Sequence, residues 1–158
     1  MEERWPDQLL GTAASRSLEH PSDTWLERLT LRGGFRLKAV LTAGRLVVPH
    51  SHQYEDEFSF VFRGRIGGRV GDQDVVVEEG GFLFKPRGIV HALWNPTDVD
   101  AIVIEFICPA GFEGFFDEMG ALPAGASPDR VREIATRYGQ TPHPELIAEL
   151  SELYGVSP

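Results

Sequence analysis

The sequence predicts an all-β domain, either a sandwich or a barrel. Between about residue 27 and residue 108, short runs rich in β-branched and aromatic residues recur at close, regular spacing, with turn residues between them. No helical pattern interrupts these runs, so a parallel sheet with crossover helices is not expected. The 158 residues are enough for one domain with a hydrophobic core and too few for two comfortable ones.

The predicted strands follow one another in chain order. Two alternating runs lie on either side of Gly33 and Gly34. The later strands are predicted in the segments 45-RLVVPH-50, 57-EFSFVFRG-64, 66-IGGRVGDQDVVVEEGG-81, 82-FLFKP-86, 90-VHALWN-95 and 101-AIVIEFIC-108. Glycine and proline separate most of these runs, as expected for short antiparallel strands joined by tight turns.

The segment 57–63 is the clearest strand. Side chains alternate between the two faces of a strand, so its three phenylalanines share one face. The other face begins with the carboxylate of Glu57 and continues with Ser59 and Val61. A carboxylate followed by two small side chains is unusual for a core and suits the wall of a cavity.

After Pro109 the spacing of the apolar residues changes to that of a helix. Phenylalanines and a methionine in 112-FEGFFDEM-119 form a helical stripe, and Ser127 before a proline predicts the start of a helix over 129–139. A further short helix is predicted over 144–155. The chain is thus predicted to be a single domain with three parts: an N-terminal arm (1–30), a barrel (31–110) and a helical C-terminal appendage (111–158).

Composition narrows the classes of function. The net charge of −9 argues against nucleic acid or an anionic membrane surface as a partner. The N-terminus has no signal-peptide pattern, and the longest apolar runs are too short to span a bilayer, so a cytoplasmic protein is expected. The single cysteine, Cys108, rules out an internal disulfide and is expected to be buried and inert.

Histidines and a carboxylate form a candidate metal site. His50 and His52 are two residues apart, so on an extended strand both imidazoles point to one side. Glu57 begins the next strand on its face of small residues, and His91 lies on another short strand. Three imidazoles and one carboxylate suit Fe, Mn, Co, Ni or Zn. This set leaves coordination positions open, as a catalytic metal requires.

Other acids near this pattern have different expected roles. Asp56 could replace Glu57 as a ligand if the strand began one residue earlier, but strand alternation favours Glu57. Glu55 and Asp56 are expected to be solvated. Glu105 lies in an apolar strand, where an unpaired charge would be costly to bury, so it is expected to face solvent or to pair with an arginine, with an acid in the pocket as the less favoured alternative.

The same alternation predicts a small, largely apolar substrate pocket beside the ligands. Its expected wall residues are Val48, Ser59, Val61 and Leu93. No lysine or arginine is clearly forced into this pocket, so an aromatic or other largely uncharged substrate is expected.

Glycines, a proline and an asparagine complete two longer motifs around the candidate ligands. The motifs are Gly44-x5-His50-x-His52-x4-Glu57-x6-Gly64 and Gly80-x5-Pro86-x-Gly88-x2-His91-x3-Asn95. All ten positions resemble the two sequence motifs of the cupin superfamily. The C-terminal segment from residue 109 is also similar to that of small bacterial single-domain cupins of the quercetinase-like group.

The resemblance implies a fold, a cofactor and an assembly. The fold is a double-stranded β-helix, also called a jelly-roll barrel. The cofactor is one divalent metal ion per chain (Fe, Mn, Ni, Co or Zn) held by His50, His52, Glu57 and His91. The assembly is a homodimer.

Three kinds of function are consistent with such a site, because the fold alone does not select one. The first is a dioxygenase of the quercetinase type, with Glu57 as a ligand that could also accept the proton of an enolisable or aromatic substrate. The second is a non-oxidative cyclase or isomerase of secondary metabolism, in which the metal acts as a Lewis acid. The third is a non-catalytic cupin that binds a small-molecule ligand.

Overall fold

Two antiparallel sheets face each other in the structure, a computed structural model that describes residues 17–19, 25–31 and 34–158. The strands are β1 (Ser17–Glu19), β2 (Trp25–Leu31), β3 (Gly34–Leu41), β4 (His50–His52), β5 (Asp56–Arg63), β6 (Arg65–Val70), β7 (Gln73–Glu78), β8 (Phe82–Lys85), β9 (His91–Trp94), β10 (Ala101–Cys108) and β11 (Gln140–Pro142). The larger sheet has the order β1-β2-β3-β10-β5-β8, and the smaller sheet has the order β11-β4-β9-β6-β7. The predicted all-β class and double-stranded β-helix are confirmed.

Strand alternation places the core between the sheets. Inward side chains of β3, β5 and β10 meet those of β6 and β9, and Val61 and Ile66 are fully buried. Cys108 was predicted to be buried, and this is wrong, because it ends β10 on the outward face and is exposed.

Two short strands differ from the sequence prediction. Within 45–50, only isolated bridges at Arg45 and Leu46 precede β4, so this predicted strand is much shorter than expected. The strand β11 was not predicted, because three residues that include a proline carry no alternating pattern. It pairs with β4, and Gln140 lies opposite His52.

The helical segments cover the barrel. The helices are α1 (Glu113–Gly120), α2 (Pro128–Arg137) and α3 (Ile147–Tyr154). Ser127 caps α2, since its side chain accepts a hydrogen bond from the Arg130 N–H. Phe112 and Phe115 pack with Phe35 of β3 in one buried cluster that also includes side chains of α2. In the described residues no helix is both long and apolar enough to cross a lipid bilayer.

The division into arm, barrel and appendage stays a prediction. Within the predicted arm, β1 and β2 extend the larger sheet next to β3, and the rest of residues 1–30 lies outside the described residues.

The non-ligand positions of the two motifs form turns. All four motif glycines have positive φ, between 70° and 88°, a region that other L-residues rarely adopt. Asn95 is fully buried, and its side-chain amide donates to the carbonyl oxygens of Leu41 and Val99. Its side-chain oxygen accepts from the N–H and hydroxyl of Thr97, so this residue fixes the turn after β9.

The outer face of the larger sheet carries an exposed aromatic patch, formed by Phe58, Phe60, Phe62, Phe82 and Phe84. Phe58 stacks on Phe84 at a ring-centroid distance of 4.6 Å, and Phe60 lies 4.7 Å from Phe82. Phe62 and Phe82 are 59% and 67% exposed. Contiguous apolar surface of this kind is typical of an interaction site.

The homodimer stays a prediction, and the aromatic patch is the surface on which to test it. If two copies bury this patch against each other, Phe62→Ser combined with Phe82→Ser should convert a dimer into a monomer in sedimentation velocity. Val76→Ser is the matched control, because Val76 is an equally exposed apolar residue, at 64%, on the other sheet. A wild-type monomer, or a double variant that stays dimeric, would contradict the prediction.

Candidate metal centre

Four candidate ligands converge between the two sheets. His50 of β4 lies directly opposite His91 of β9 in the smaller sheet, and Glu57 projects from β5 of the larger sheet. The Nε2 atoms of His50 and His91 are 3.2 Å apart. Glu57 Oε2 lies 3.1 Å from His91 Nε2 and 3.5 Å from His52 Nε2. One possible ligand atom from each of the four side chains lies within 4.8 Å of all the others.

The outer nitrogens of two imidazoles are already engaged. His50 Nδ1 lies 2.8 Å from the carbonyl oxygen of Val48, and His91 Nδ1 lies 3.0 Å from that of Ile89. A carbonyl can only accept, so each Nδ1 carries the proton and donates it. The lone pair is therefore left on Nε2, which faces the cluster, as in most histidine metal ligands.

The third imidazole has a carboxylate behind it. His52 Nδ1 is 3.6 Å from Glu55 Oε2, slightly beyond hydrogen-bond distance, and neither atom has another hydrogen-bond partner among the described residues. Glu55 was expected to be solvated, and this is wrong, because only 5% of it is exposed. Its position behind the imidazole allows it to orient His52.

Protonation states in the cluster favour binding of a cation. Burial, together with the neighbouring imidazoles of His91 and His52, holds the pKa of His50 well below its usual value. Burial also lowers the pKa of His91. Burial opposes the charge of Glu57, but the Lys85 ammonium and the nearby imidazoles hold its pKa well below the usual value. At neutral pH these groups already have the protonation states of metal ligands.

His52 is the exception. Burial disfavours its imidazolium form, but the nearby carboxylates of Glu55 and Glu57 raise its pKa above the usual value. Metal binding therefore has to displace a proton from this imidazole over a wider pH range than from the other two.

The side chains present fit a divalent transition metal. The donor set is three imidazole nitrogens and one carboxylate oxygen, and Glu57 Oε2 is buried without a hydrogen-bond partner among the described residues. A buried, unsatisfied carboxylate oxygen aimed at three imidazoles is costly without a cation. The cluster could therefore hold a metal ion.

A buried ionic chain lies behind Glu57. Lys85 Nζ is 3.1 Å from Glu57 Oε1 and 3.0 Å from Glu105 Oε2, and all three residues are buried. The Ser59 hydroxyl lies 2.9 Å and 2.8 Å from the two oxygens of Glu105 and donates to this carboxylate. The carboxylates outweigh burial and raise the pKa of Lys85, whereas burial raises the pKa of Glu105 to about 7.

Two expectations from the sequence are wrong here. Glu105 neither faces solvent nor pairs with an arginine, because it is buried beside a lysine. A basic residue does reach the cavity, namely Lys85. Alternation contained a signal for it, because Phe82 and Phe84 of β8 point outward, which puts Lys85 inward. The sequence analysis did not use this signal, because lysines are rarely buried unless they are paired, and the sequence does not show the partners of Lys85.

A cavity of about 350 Å³ opens beside the four ligands. Apolar side chains of β3, β9 and β10 form its wall, and side chains of α1 and α2 close one side. Of the four predicted pocket residues, Val48 and Leu93 line the cavity. Val61 belongs instead to the core beneath it, and Ser59 holds Glu105.

Asp56, the alternative ligand, lies outside the cluster. Its carboxylate accepts hydrogen bonds from the backbone N–H of Arg87 and from its guanidinium, 2.7 Å away at the closest. Hydrogen bonding to Arg87 lowers the pKa of Asp56 to about 2. Asp56 thus braces the turn between β8 and β9 at the surface.

Comparisons with known proteins agree with this geometry. A cupin domain model matches residues 38–107. The chain is 32% identical over 76 residues to the tetracenomycin polyketide synthase protein TcmJ of Streptomyces glaucescens, a match that covers 48% of this chain and 51% of that protein. The chain thus spans about half the length of this curated relative.

Solved structures match over more of the chain. An RmlC-like cupin from Shewanella frigidimarina superimposes with a TM-score of 0.57 at 16% identity, covering 72% of this chain and 96% of that one. A predicted oxalate decarboxylase from Thermotoga maritima gives a TM-score of 0.50 at 18% identity, covering 62% of this chain and 94% of that one. At these identities the structural matches show the fold alone.

Proposed function

Since residues 38–107 match a cupin domain model, we propose that the chain is a cupin and a metal-dependent enzyme acting on a small phenolic or enolisable substrate. The observation that carries this proposal is the placement of His50, His52, Glu57 and His91 at the edge of a largely apolar cavity of about 350 Å³. A structural metal site is normally closed by its protein ligands, whereas this one adjoins space for a substrate.

Each part of the site has a distinct task. A bound divalent ion would supply Lewis acidity and, for a redox-active metal, electrons for reaction with O2. Phe112 and Phe115, from the segment that covers the barrel, stack on each other and line the cavity, where they would limit the entry of water. Glu57 Oε2 faces the imidazoles, and Oε1 is held by Lys85. Glu57 is therefore positioned as a ligand through Oε2, and a proton accepted at Oε1 would share this oxygen with the Lys85 ammonium.

Two reactions are candidates at this site. Dioxygenation of an aromatic or enolisable substrate follows from the quercetinase-like resemblance. Non-oxidative ring closure is favoured by the match to a protein named as a polyketide synthase protein, because polyketide chains carry enolisable carbonyl groups. In both reactions a metal held by the four ligands would supply Lewis acidity toward a substrate oxygen. The two reactions differ in their need for O2 and for a redox-active metal.

Turnover with and without O2 tests the proposal. Protein loaded with Fe, Mn, Co, Ni or Zn is incubated with flavonols, catechols and β-polyketones in air and under nitrogen, and products are followed by mass spectrometry. A dioxygenase should consume O2 only with redox-active metals, and a cyclase should also work with zinc under nitrogen. Either activity should fall by more than about a thousandfold in His91→Ala, because one of the four ligands is lost.

His143→Ala is the matched control. His143 contacts Ser51 and Glu145 outside the cluster, so this variant should keep wild-type activity. Tight binding of these compounds without any product, for every metal, would overturn the enzyme proposal and leave a ligand-binding protein.

A further inference from the structure

The cavity contains an ammonium group with an unused hydrogen-bond donor. Lys85 Nζ donates to Glu57 Oε1 and Glu105 Oε2, at 3.1 Å and 3.0 Å. An ammonium has three N–H groups, and in the part of the chain that the structure describes its hydrogen-bond and ion-pair partners are these two carboxylates. Lys85 is only 1% exposed and lines the cavity. The third donor is therefore available chiefly to a molecule inside the cavity.

The charges around the cavity also favour a ligand that interacts with Lys85. Above about pH 8, where Glu105 is ionised, a divalent ion and the Lys85 ammonium would bring three positive charges, and Glu57 and Glu105 two negative ones. With neutral imidazoles, the loaded site carries a net charge of about +1 next to an apolar wall. An unbalanced charge in such surroundings is costly, so an anionic ligand is favoured over a neutral one.

We propose that Lys85 is a specificity residue that donates a hydrogen bond to the oxyanion of a monoanionic phenolate or enolate. The apolar body of this ligand packs against the wall that Leu93 and Ile107 help to form. This inference rests on the proposed function and deepens it, because it names the ionised form of the substrate. It replaces the sequence-based expectation of an uncharged substrate.

Binding of two matched aromatic probes tests the inference. The probes are 4-nitrophenolate, an anion with a strong visible absorption, and neutral nitrobenzene of nearly the same size. They are titrated into zinc-loaded protein at a pH where the phenol is ionised, with absorption and calorimetry as readouts. The zinc content is measured for each protein.

Two variants distinguish the effect of the Lys85 hydrogen-bond donor from the effect of the net charge of the site. Lys85→Met with Glu105→Gln removes the ammonium and one carboxylate together, so the net charge of the loaded site is unchanged, and Glu57, which loses its ammonium partner, would keep the zinc ion as its counter-charge. Glu105→Gln alone keeps the ammonium and makes the site more positive. The first variant should bind 4-nitrophenolate at least about tenfold more weakly than wild type. The second should bind it about threefold more tightly.

Nitrobenzene should bind all three proteins with affinities that agree within about twofold. Equal phenolate affinity in wild type and the double variant would overturn the inference, as would weaker phenolate binding by Glu105→Gln or no phenolate binding by the zinc-loaded wild type. Binding that depends on Lys85, without turnover of any compound, would support this inference and refute the proposed enzyme. Turnover at the same rate in wild type and in the double variant would support the proposed enzyme and refute this inference.

Discussion

Replacing His50 and His52 together by alanine should abolish metal binding. Protein purified without added metal is expected to contain about one divalent ion per chain, and the double variant none, as measured by elemental analysis. The two residues supply half of the four ligands in the cluster. Since loss of a group that only orients a ligand already costs roughly 10- to 100-fold in affinity, loss of two ligands should cost more than about a thousandfold.

The same variant should lose the stabilisation that the metal provides. A ligand at a thousand times its dissociation constant stabilises a folded protein by about 4 kcal/mol, so added metal should raise the melting temperature of wild type and not that of the variant. His143→Ala is again the control, because His143 is outside the cluster. A double variant that keeps its metal, or a wild type that takes up none after reconstitution, would exclude the site.

The ligand cluster was predictable because its information is local. The spacing of His50 and His52 determines that both point to one side of a strand, and the motif glycines, all at positive φ, mark the turns that end neighbouring strands. The strand pattern then predicts an inward carboxylate at Glu57. The structure brings these residues together between the sheets, with His91 opposite His50.

The ionic chain behind Glu57 was not predictable in the same way. Lys85 and Glu105 belong to β8 and β10, which both flank β5, so their contact depends on the order of strands in the sheet. A single strand pattern shows that a side chain faces inward but does not show which distant residue it meets. Because isolated buried charges are rare, the sequence predicted that Glu105 faces solvent or pairs with an arginine, and only the pairing register reveals its actual partners.

The buried ionic chain of Glu57, Lys85 and Glu105 also predicts that substitutions at Lys85 and Glu105 have large, non-additive effects on stability. In metal-free protein at about pH 8, Lys85→Met should lower the free energy of unfolding by about 3–5 kcal/mol, because it leaves two buried carboxylates without their ammonium. Adding Glu105→Gln should recover about 2 kcal/mol of this loss, since one of the uncompensated charges is removed. Urea unfolding of the four proteins in the cycle measures the coupling between the two sites.

An exposed ion pair on the surface provides the control double-mutant cycle. Arg65 Nε lies 2.8 Å from Glu78 Oε1, but both side chains are more than half exposed, so Arg65→Met and Glu78→Gln should be nearly additive. Additive effects at Lys85 and Glu105 as well would contradict the buried ionic chain.

The effect of Glu105→Gln on stability at different pH values is an independent test of the buried ionic chain. Burial raises the pKa of Glu105 from 4.5 to about 7 in the folded protein. Between these values the folded state keeps a proton that the unfolded state has released, so Glu105 makes folding less favourable as the pH rises through this window. Glutamine cannot ionise, and the variant should therefore gain stability relative to wild type from about pH 5 to pH 7. The difference should level off above about pH 8, and a difference that is constant across this range would show that Glu105 is already ionised at pH 5.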